Sequence, residues 1–243
     1  MRANALGDFL FTLPALVALN KTYPQAEIVL LGLSWHATFL KDRPSPIKRV
    51  IVIPPYGGVN KEPGYQADES ELTAFFAEMQ REHFDLALQL HDGGRYSNVF
   101  INRLDAHTTA GLRTPDAPHL DRWLPYSYFQ HEILRFQEAV GLVGANKGHT
   151  EIGGEPRLTV TAADLEAAEA VIPTTPQPLV AIHPGAHDPR QRWSPRNFAA
   201  IGDMLAEQGA KILVTGSNSE RALVSEVVRT MHAPAYDLSG QLS

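Results

Sequence analysis

Short aliphatic and β-branched runs alternate with longer amphipathic segments along this chain, the pattern of repeated β-α units around a parallel sheet. Strands are predicted over residues 27–33 (EIVLLGL), 49–54 (RVIVIP), 84–90 (FDLALQL) and 107–112. Between them, Leu72, Phe75, Phe76 and Met79 fall at helical spacing and predict a helix over 72–82, with a shorter one over 98–104. Ile133, Leu134, Val140 and Leu142 form the apolar side of a further helix over 131–142. Four glycines, a proline and few large apolar groups in GANKGHTEIGGEP (144–156) predict an interdomain linker. The boundary is set there, dividing a domain of residues 1–150 from one of residues 151–243. The second part carries an alanine-rich helix over 162–171, strands over 179–183 and 211–215, and helices over 195–208 and 219–231. Ser194 and Pro195 supply a cap and a first-turn proline, and Gly209 suits the left-handed exit from that helix.

Length changes this picture little, since 243 residues accommodate one large α/β domain or two modest ones. Charge excludes more. A formal net charge of −6 argues against a dominant polyanion-binding face, so nucleic acid is not an expected partner. Without cysteine, neither a disulfide framework nor a thiolate metal site can form. No run approaches the roughly 18 to 20 apolar residues that span a bilayer, so no transmembrane segment is expected. Arg2 followed by the apolar stretch 9–19 superficially resembles a secretion signal. Asp8, Pro14 and the lack of a small-residue cleavage pattern before Lys21 argue against that.

Three clusters could carry chemistry. Leu6-Gly7-Asp8 stands directly before an apolar helix, where Gly7 would let the backbone approach a ligand. An aspartate there also serves as a helix cap or dipole partner, so Asp8 alone decides nothing. The second cluster follows a strand: His183-Pro184-Gly185-Ala186, then Asp188, Arg190 and Arg192, then Trp193-Ser194-Pro195 opening a helix. In open α/β sheets ligands collect at the carboxyl ends of strands, and two arginines there could clamp a diphosphate by charge-assisted bonds. A solvated basic loop packed on Trp193 is the competing reading. The third is Thr215-Gly216-Ser217-Asn218-Ser219-Glu220, again between strand and helix. Ser217 and Glu220 fit a capping box, and a cap and a phosphate site both use the unpaired N–H groups of a helix start. His91, Asp92 and Arg95 follow a strand end and could touch a second substrate or simply be solvated. No G-x-G-x-x-G follows a predicted strand, which disfavours a dinucleotide oxidoreductase.

Taken in order, these segments resemble glycosyltransferase family 9, the ADP-heptose:lipopolysaccharide heptosyltransferase family. LGDFLFTLPALVALNKTYPQAEI is similar to its opening signature, and LQLHDGGRYSN with the later Ala110-Gly111 strand to its middle. HPGA, RQRWSPRNFAAIGDMLAEQGAKILVTGSNSE and YDLSGQLS are similar to its donor-side half. The resemblance implies the GT-B architecture: two Rossmann-like α/β domains facing a cleft, acceptor mainly on the first and nucleotide sugar on the second. It implies inverting transfer of a heptose or related sugar from an ADP-activated donor to a lipopolysaccharide-core or other lipid-linked glycan acceptor. Asp8 would be the general base, and Arg192, with Arg190 as second candidate, would stabilise the departing diphosphate. Gly7, His91, Asp92 and Arg95 would lie on the acceptor side; Gly185, Ala186, Arg190, Trp193, Thr215, Gly216, Ser217 and Glu220 would lie near the nucleotide, Glu220 reaching the ribose.

No D-x-D sequence occurs, so no metal and no cofactor is expected. A cytoplasmic enzyme working at the inner face of the membrane, in peripheral contact with it, follows from the same resemblance. Another GT-B nucleotide-sugar enzyme, such as an epimerase, and an inactive sugar-binding paralogue are the alternatives. Compared with the family, only Arg2 to Ala5 separate Met1 from the Leu-Gly-Asp motif where a hydrophobic strand is expected, and the chain stops at Ser243 ahead of an aspartate-threonine-glycine-proline loop. A shortened first sheet, a truncated second domain and poor stability or activity are the resulting expectations.

Overall fold

The computed structural model describes residues 1–145, 154–186 and 188–242. The chain divides into two compact units, Met1–Val160 and Thr161–Ser243. Most of the expected linker, and the expected boundary at 150/151, lie outside the described residues.

In the first unit the order is α1 (Leu6–Leu10), α2 (Leu13–Thr22), β1 (Ile28–Gly32), α3 (Ser34–Leu40), β2 (Ile47–Val52) and α4 (Glu69–Arg81). There follow β3 (Leu86–Gln89), α5 (Ser97–Asn102), β4 (Thr108–Arg113), β5 (Arg122–Pro125) and α6 (Glu132–Gly141). All strand pairs are parallel: β1 with β2, and β3 with β4 with β5. Residues Met1 to Ala3 run between the facing edges of β1 and β3. Arg2 N–H donates to Leu31 O at 3.1 Å, Leu90 N–H to Met1 O at 3.2 Å, and the Met1 amine to Leu88 O at 2.5 Å. Beside this short bridge lies a cavity of about 630 Å³, walled by β1, by β3 and by Leu16 and Leu19 of α2.

Helices cover both faces, as parallel strands buried on two sides require. On one face Phe9, Leu16, Leu19, Phe136 and Val140 pack with Ile28, Leu30 and Leu112. On the other, Leu72, Phe76, Met79, Phe100 and Ile101 pack with Leu31 and Ala87. The expected start of α4 at Leu72 is corrected to Glu69. Asp68 caps the helix by accepting from Ser70 N–H (2.8 Å) and Glu71 N–H (3.3 Å), so three polar residues precede the first buried one. Gly111 is required on β4 because a Cβ there would stand 2.7 Å from the Gln89 carbonyl oxygen on β3.

The second unit comprises α7 (Ala162–Val171), β6 (Leu179–Ile182), α8 (Pro195–Glu207), β7 (Lys211–Gly216), α9 (Arg221–Thr230) and β8 (Ala235–Ser239). Its parallel sheet has the order β6-β7-β8. Ile182, Ile212, Val214, Val224 and Val227 form its core. Gly209 leaves α8 with φ +90°, the left-handed exit that its position predicts. Ser194 stands at the expected cap position but its side chain makes no capping hydrogen bond. The expected helix over 219–231 splits into a single 3-10 turn, Asn218–Glu220, followed by α9. Among the described residues no helix is long and apolar enough to cross a membrane.

Candidate functional site

In the first unit, Asp8 lies inside the short helix α1 rather than before a long one. The chain breaks at Phe11 and Thr12, where the Thr12 hydroxyl donates to Phe9 O at 2.7 Å, and α2 restarts with Pro14 in its first turn. The Asp8 carboxylate is 43% exposed, and its Oδ1 sits 3.3 Å from Nη2 of Arg2, which is 3% exposed. Gly7 is exposed, and a Cβ there would meet nothing within 4 Å, so no protein contact demands glycine at that position.

The loop after β3 treats its three candidates differently. His91 is buried with its Nδ1 facing Ala3 N–H at 3.4 Å, and burial, only partly opposed by the charge of Asp92, pushes it down to about 4. It is therefore neutral at physiological pH. Asp92 organises the loop: its Oδ1 accepts from Gly94 N–H at 2.8 Å and from the Ser97 hydroxyl at 2.5 Å. The buried amide of Gln89 braces both, donating to Ser97 Oγ at 2.6 Å and to Asp92 O at 2.9 Å. Arg95 is the exposed member, 3.7 Å from Asp116 and lying over the Tyr96 ring.

Several polar residues at this site escaped the sequence reading. Glu132 opens α6 with its Oε2 3.7 Å from Arg2 Nη2, and it pairs with Arg135, itself almost fully buried. Arg135 also donates to Tyr126 Oη at 3.0 Å and to the carbonyls of Ser127 and Gln130. A charged residue within a largely apolar helix was the available signal, since Arg135 is buried on α6 among Ile133, Phe136, Ala139 and Val140.

In the second unit the loops after β6 and β7 meet at the carboxyl end of the sheet. His183 Nδ1 lies 3.1 Å from Thr215 Oγ1, tying the start of the first loop to the end of β7. Glu220 Oε2 accepts from Ser217 N–H at 2.9 Å and from the Ser217 hydroxyl at 2.7 Å. These two bonds, Ser217 N–H foremost, hold its carboxyl below the ordinary carboxylate range, helped by the charges of His183 and Arg192. Gly185 faces the same carboxylate so closely that a Cβ would collide with Glu220 Oε1, and a Cβ on Gly216 would stand 2.7 Å from Val224. The β8 exit joins them, with Gly240 N–H donating to Gly216 O at 2.7 Å; sequence reasoning gave that segment no local role.

The arginines of the first loop are tethered. Arg192 Nε donates to Ala186 O at 2.9 Å, which folds the loop back on Gly185 and Ala186. Arg190 forms a bidentate pair with Asp188, with bonds of 2.6 to 3.0 Å, and is 89% exposed. Trp193 is half exposed and stands edge-on to Phe198, 5.5 Å between ring centres. Geometry thus brings His183, Gly185, Thr215, Ser217, Glu220 and Arg192 together, while Arg190 and Trp193 lie on the rim.

Known proteins resemble this chain in family and in fold. The heptosyltransferase family, glycosyltransferase family 9, matches residues 72–243. No curated protein matches the chain. Among solved structures, the glycosyl transferase family 9 protein of Veillonella parvula DSM 2008 is similar at TM-score 0.75 and 19% identity, over 98% of this chain and 67% of that one. E. coli ADP-heptose lps heptosyltransferase II is similar at TM-score 0.77 and 15% identity, over 99% of this chain and 71% of that one. E. coli heptosyltransferase WaaC with ADP gives TM-score 0.61 and 17% identity, over 98% and 74%. The parallel-sheet α/β fold is that of the GT-B glycosyltransferases. With the family match running from α4 to the last residue, this chain belongs to glycosyltransferase family 9, the heptosyltransferase family.

Proposed function

We propose that the protein transfers a heptose, with inversion, from an ADP-activated donor to a lipid-linked lipopolysaccharide-core acceptor in the cytoplasm, touching the inner face of the membrane through that acceptor. The observation that carries this reading is the junction of the β6 and β7 loops in a family 9 chain. There a helix start, the Arg192 guanidinium and two glycines with little room for a side chain surround the Glu220 carboxylate. Such a junction suits a nucleotide diphosphate: backbone N–H groups and a cation for the phosphates, a carboxylate for ribose hydroxyls.

In the reaction the acceptor hydroxyl oxygen bonds to the anomeric carbon as the bond from that carbon to the diphosphate oxygen breaks. Asp8 takes the hydroxyl proton, and its exposed carboxylate on the first unit is the reason for choosing it. The leaving diphosphate gathers negative charge, which Arg192, with Arg190 as second candidate, neutralises without a metal ion.

The test is transfer from ADP-heptose to a lipopolysaccharide-core acceptor. Asp8→Asn should lower turnover by about 10²–10⁴-fold while ADP still binds, and Arg192→Ala should lower it by about 10²-fold. EDTA should leave the rate unchanged. Tight ADP-heptose binding without transfer by the unaltered chain would instead identify a sugar-binding paralogue. Thermal stabilisation by a different nucleotide sugar would redirect the donor assignment.

A further inference from the structure

Arg2 is the most conspicuous polar group left unused by that chemistry. Its guanidinium is 3% exposed and reaches three parts of the first unit at once. Nη1 donates to Leu90 O at 2.7 Å and His91 O at 2.5 Å, at the end of β3; Nη2 lies 3.3 Å from Asp8 Oδ1 on α1 and 3.7 Å from Glu132 Oε2 on α6; and Cζ stands 4.9 Å over the Phe136 ring. Burying a guanidinium is costly, and burial pulls the Arg2 pKa down while Asp8 and then Glu132, Tyr126 and Asp92 pull it back up. Three further titratable groups face it, the Met1 amine, His36 and His91, and burial pushes them down to about 5, 4 and 4, so that Arg2 is the cation among them at neutral pH.

Asp8 has much less holding it. Among the described residues its carboxylate has one partner, Arg2, and that contact engages Oδ1. Among those residues none engages Oδ2. A half-exposed aspartate on a one-turn helix would otherwise sample several rotamers, each aiming its free lone pairs differently.

We propose that Arg2 is the positioning residue for Asp8, pinning Oδ1 from beneath so that Oδ2 is presented in one direction to the acceptor hydroxyl. Glu132 serves as the second counter-charge of the buried cation and takes no proton in transfer. Because the same guanidinium holds the Leu90 and His91 carbonyls, it also fixes the height of α1 against the loop carrying His91, Asp92 and Arg95. The inference rests on Asp8 being the base.

Steady-state transfer by the full chain tests both, with kcat taken per folded molecule. Arg2→Met should lower kcat by at least tenfold with donor and acceptor KM within twofold, since misaiming a base by about 1 Å costs on the order of 10²-fold. Arg2→Lys keeps a buried cation and so keeps the fold. One ammonium cannot serve two carbonyls and a carboxylate in the guanidinium's planar geometry, so kcat should fall between the other two, about three- to tenfold below the unaltered chain. Glu132→Gln leaves the Asp8 contact in place and should stay within twofold in kcat. A purely structural Arg2 would lower the melting temperature of Arg2→Lys and leave its kcat per folded molecule at the unaltered value; that result overturns the inference, whether or not Arg2→Met folds. Full activity in Asp8→Asn would instead remove the base assignment itself, so the two failures are distinguishable.

Discussion

Gly185 and Glu220 approach each other so closely that the glycine hydrogen occupies space a methyl group would contest with the carboxylate. Glu220 is not free to move aside, because its Oε2 holds both the N–H and the hydroxyl of Ser217. Gly185→Ala should therefore push the carboxylate off Ser217 and open the junction of the two loops. The expected outcome is ADP affinity reduced about tenfold, roughly the 1.4 kcal/mol of one good charged hydrogen bond. Isothermal titration with ADP checks it; unchanged affinity would mean that Glu220 relocates without consequence.

The loop after β3 separates scaffold from surface. Asp92→Ala strips Gly94 N–H and the Ser97 hydroxyl of their acceptor and removes the 3.4 Å contact of Gln89 Nε2 with the carboxylate. It should cost about 1–3 kcal/mol of stability and lower the melting temperature by several degrees. Arg95→Ala removes an exposed side chain whose pair with Asp116 spans 3.7 Å in solvent. Its melting temperature should not change, whereas its acceptor KM should rise if Arg95 touches the acceptor. Thermal melts run beside acceptor titrations separate the two.

Acid should weaken the first unit earlier than carboxylate titration alone would. His36 is fully buried against Trp35 and Phe9, and its Nδ1 accepts from Leu33 N–H at 2.9 Å. Burial pushes it from 6.5 down to about 4, and the charge of Arg2 pushes it the same way. The unfolded chain binds a proton at this ring below pH 6.5 while the folded one does not. The stability it contributes is therefore present above 6.5 and lost as pH falls from there toward 4, about 3 kcal/mol in full. Urea unfolding monitored at pH 7, 5.5 and 4.5 should show this decline. His36→Gln, which keeps an acceptor for Leu33 but does not titrate, should flatten it.

Gly111→Ala places a methyl group 2.7 Å from the Gln89 carbonyl across the β3–β4 pair. Backbone cannot swing away as a side chain can, so the strands must separate slightly. A loss of about 1–3 kcal/mol is expected, read as a lower midpoint in denaturant. A neutral result would show the pair to be looser than its register implies.

Much of the second unit could be read from the chain because its signals are local. The helix over 162–171 coincides with α7, and Pro195 opens α8 while Gly209 stands two residues past its end. Ser217 and Glu220 meet as their spacing predicts, since a cap is built within one turn. The first unit hides more. β5 is a four-residue edge strand, mostly exposed and ending at Pro125, with no apolar alternation to reveal it. Arg2, Asp8 and Glu132 converge only after α1, β3 and α6 have packed, and no local spacing encodes that meeting. Asp92 was legible as a loop carboxylate, but its engagement by Gly94, Ser97 and Gln89 depends on how tightly the loop closes.

Of the three tryptophans, Trp35 and Trp123 belong to the first unit and Trp193 to the second, where it borders the tethered loop of Arg192. Half exposed and touching Phe198 edge-on, that indole gives the second unit its own optical probe. With Trp35→Phe and Trp123→Phe in place, emission near 350 nm comes from one ring, and quenching by acrylamide reports directly how far nucleotide shields that loop from water.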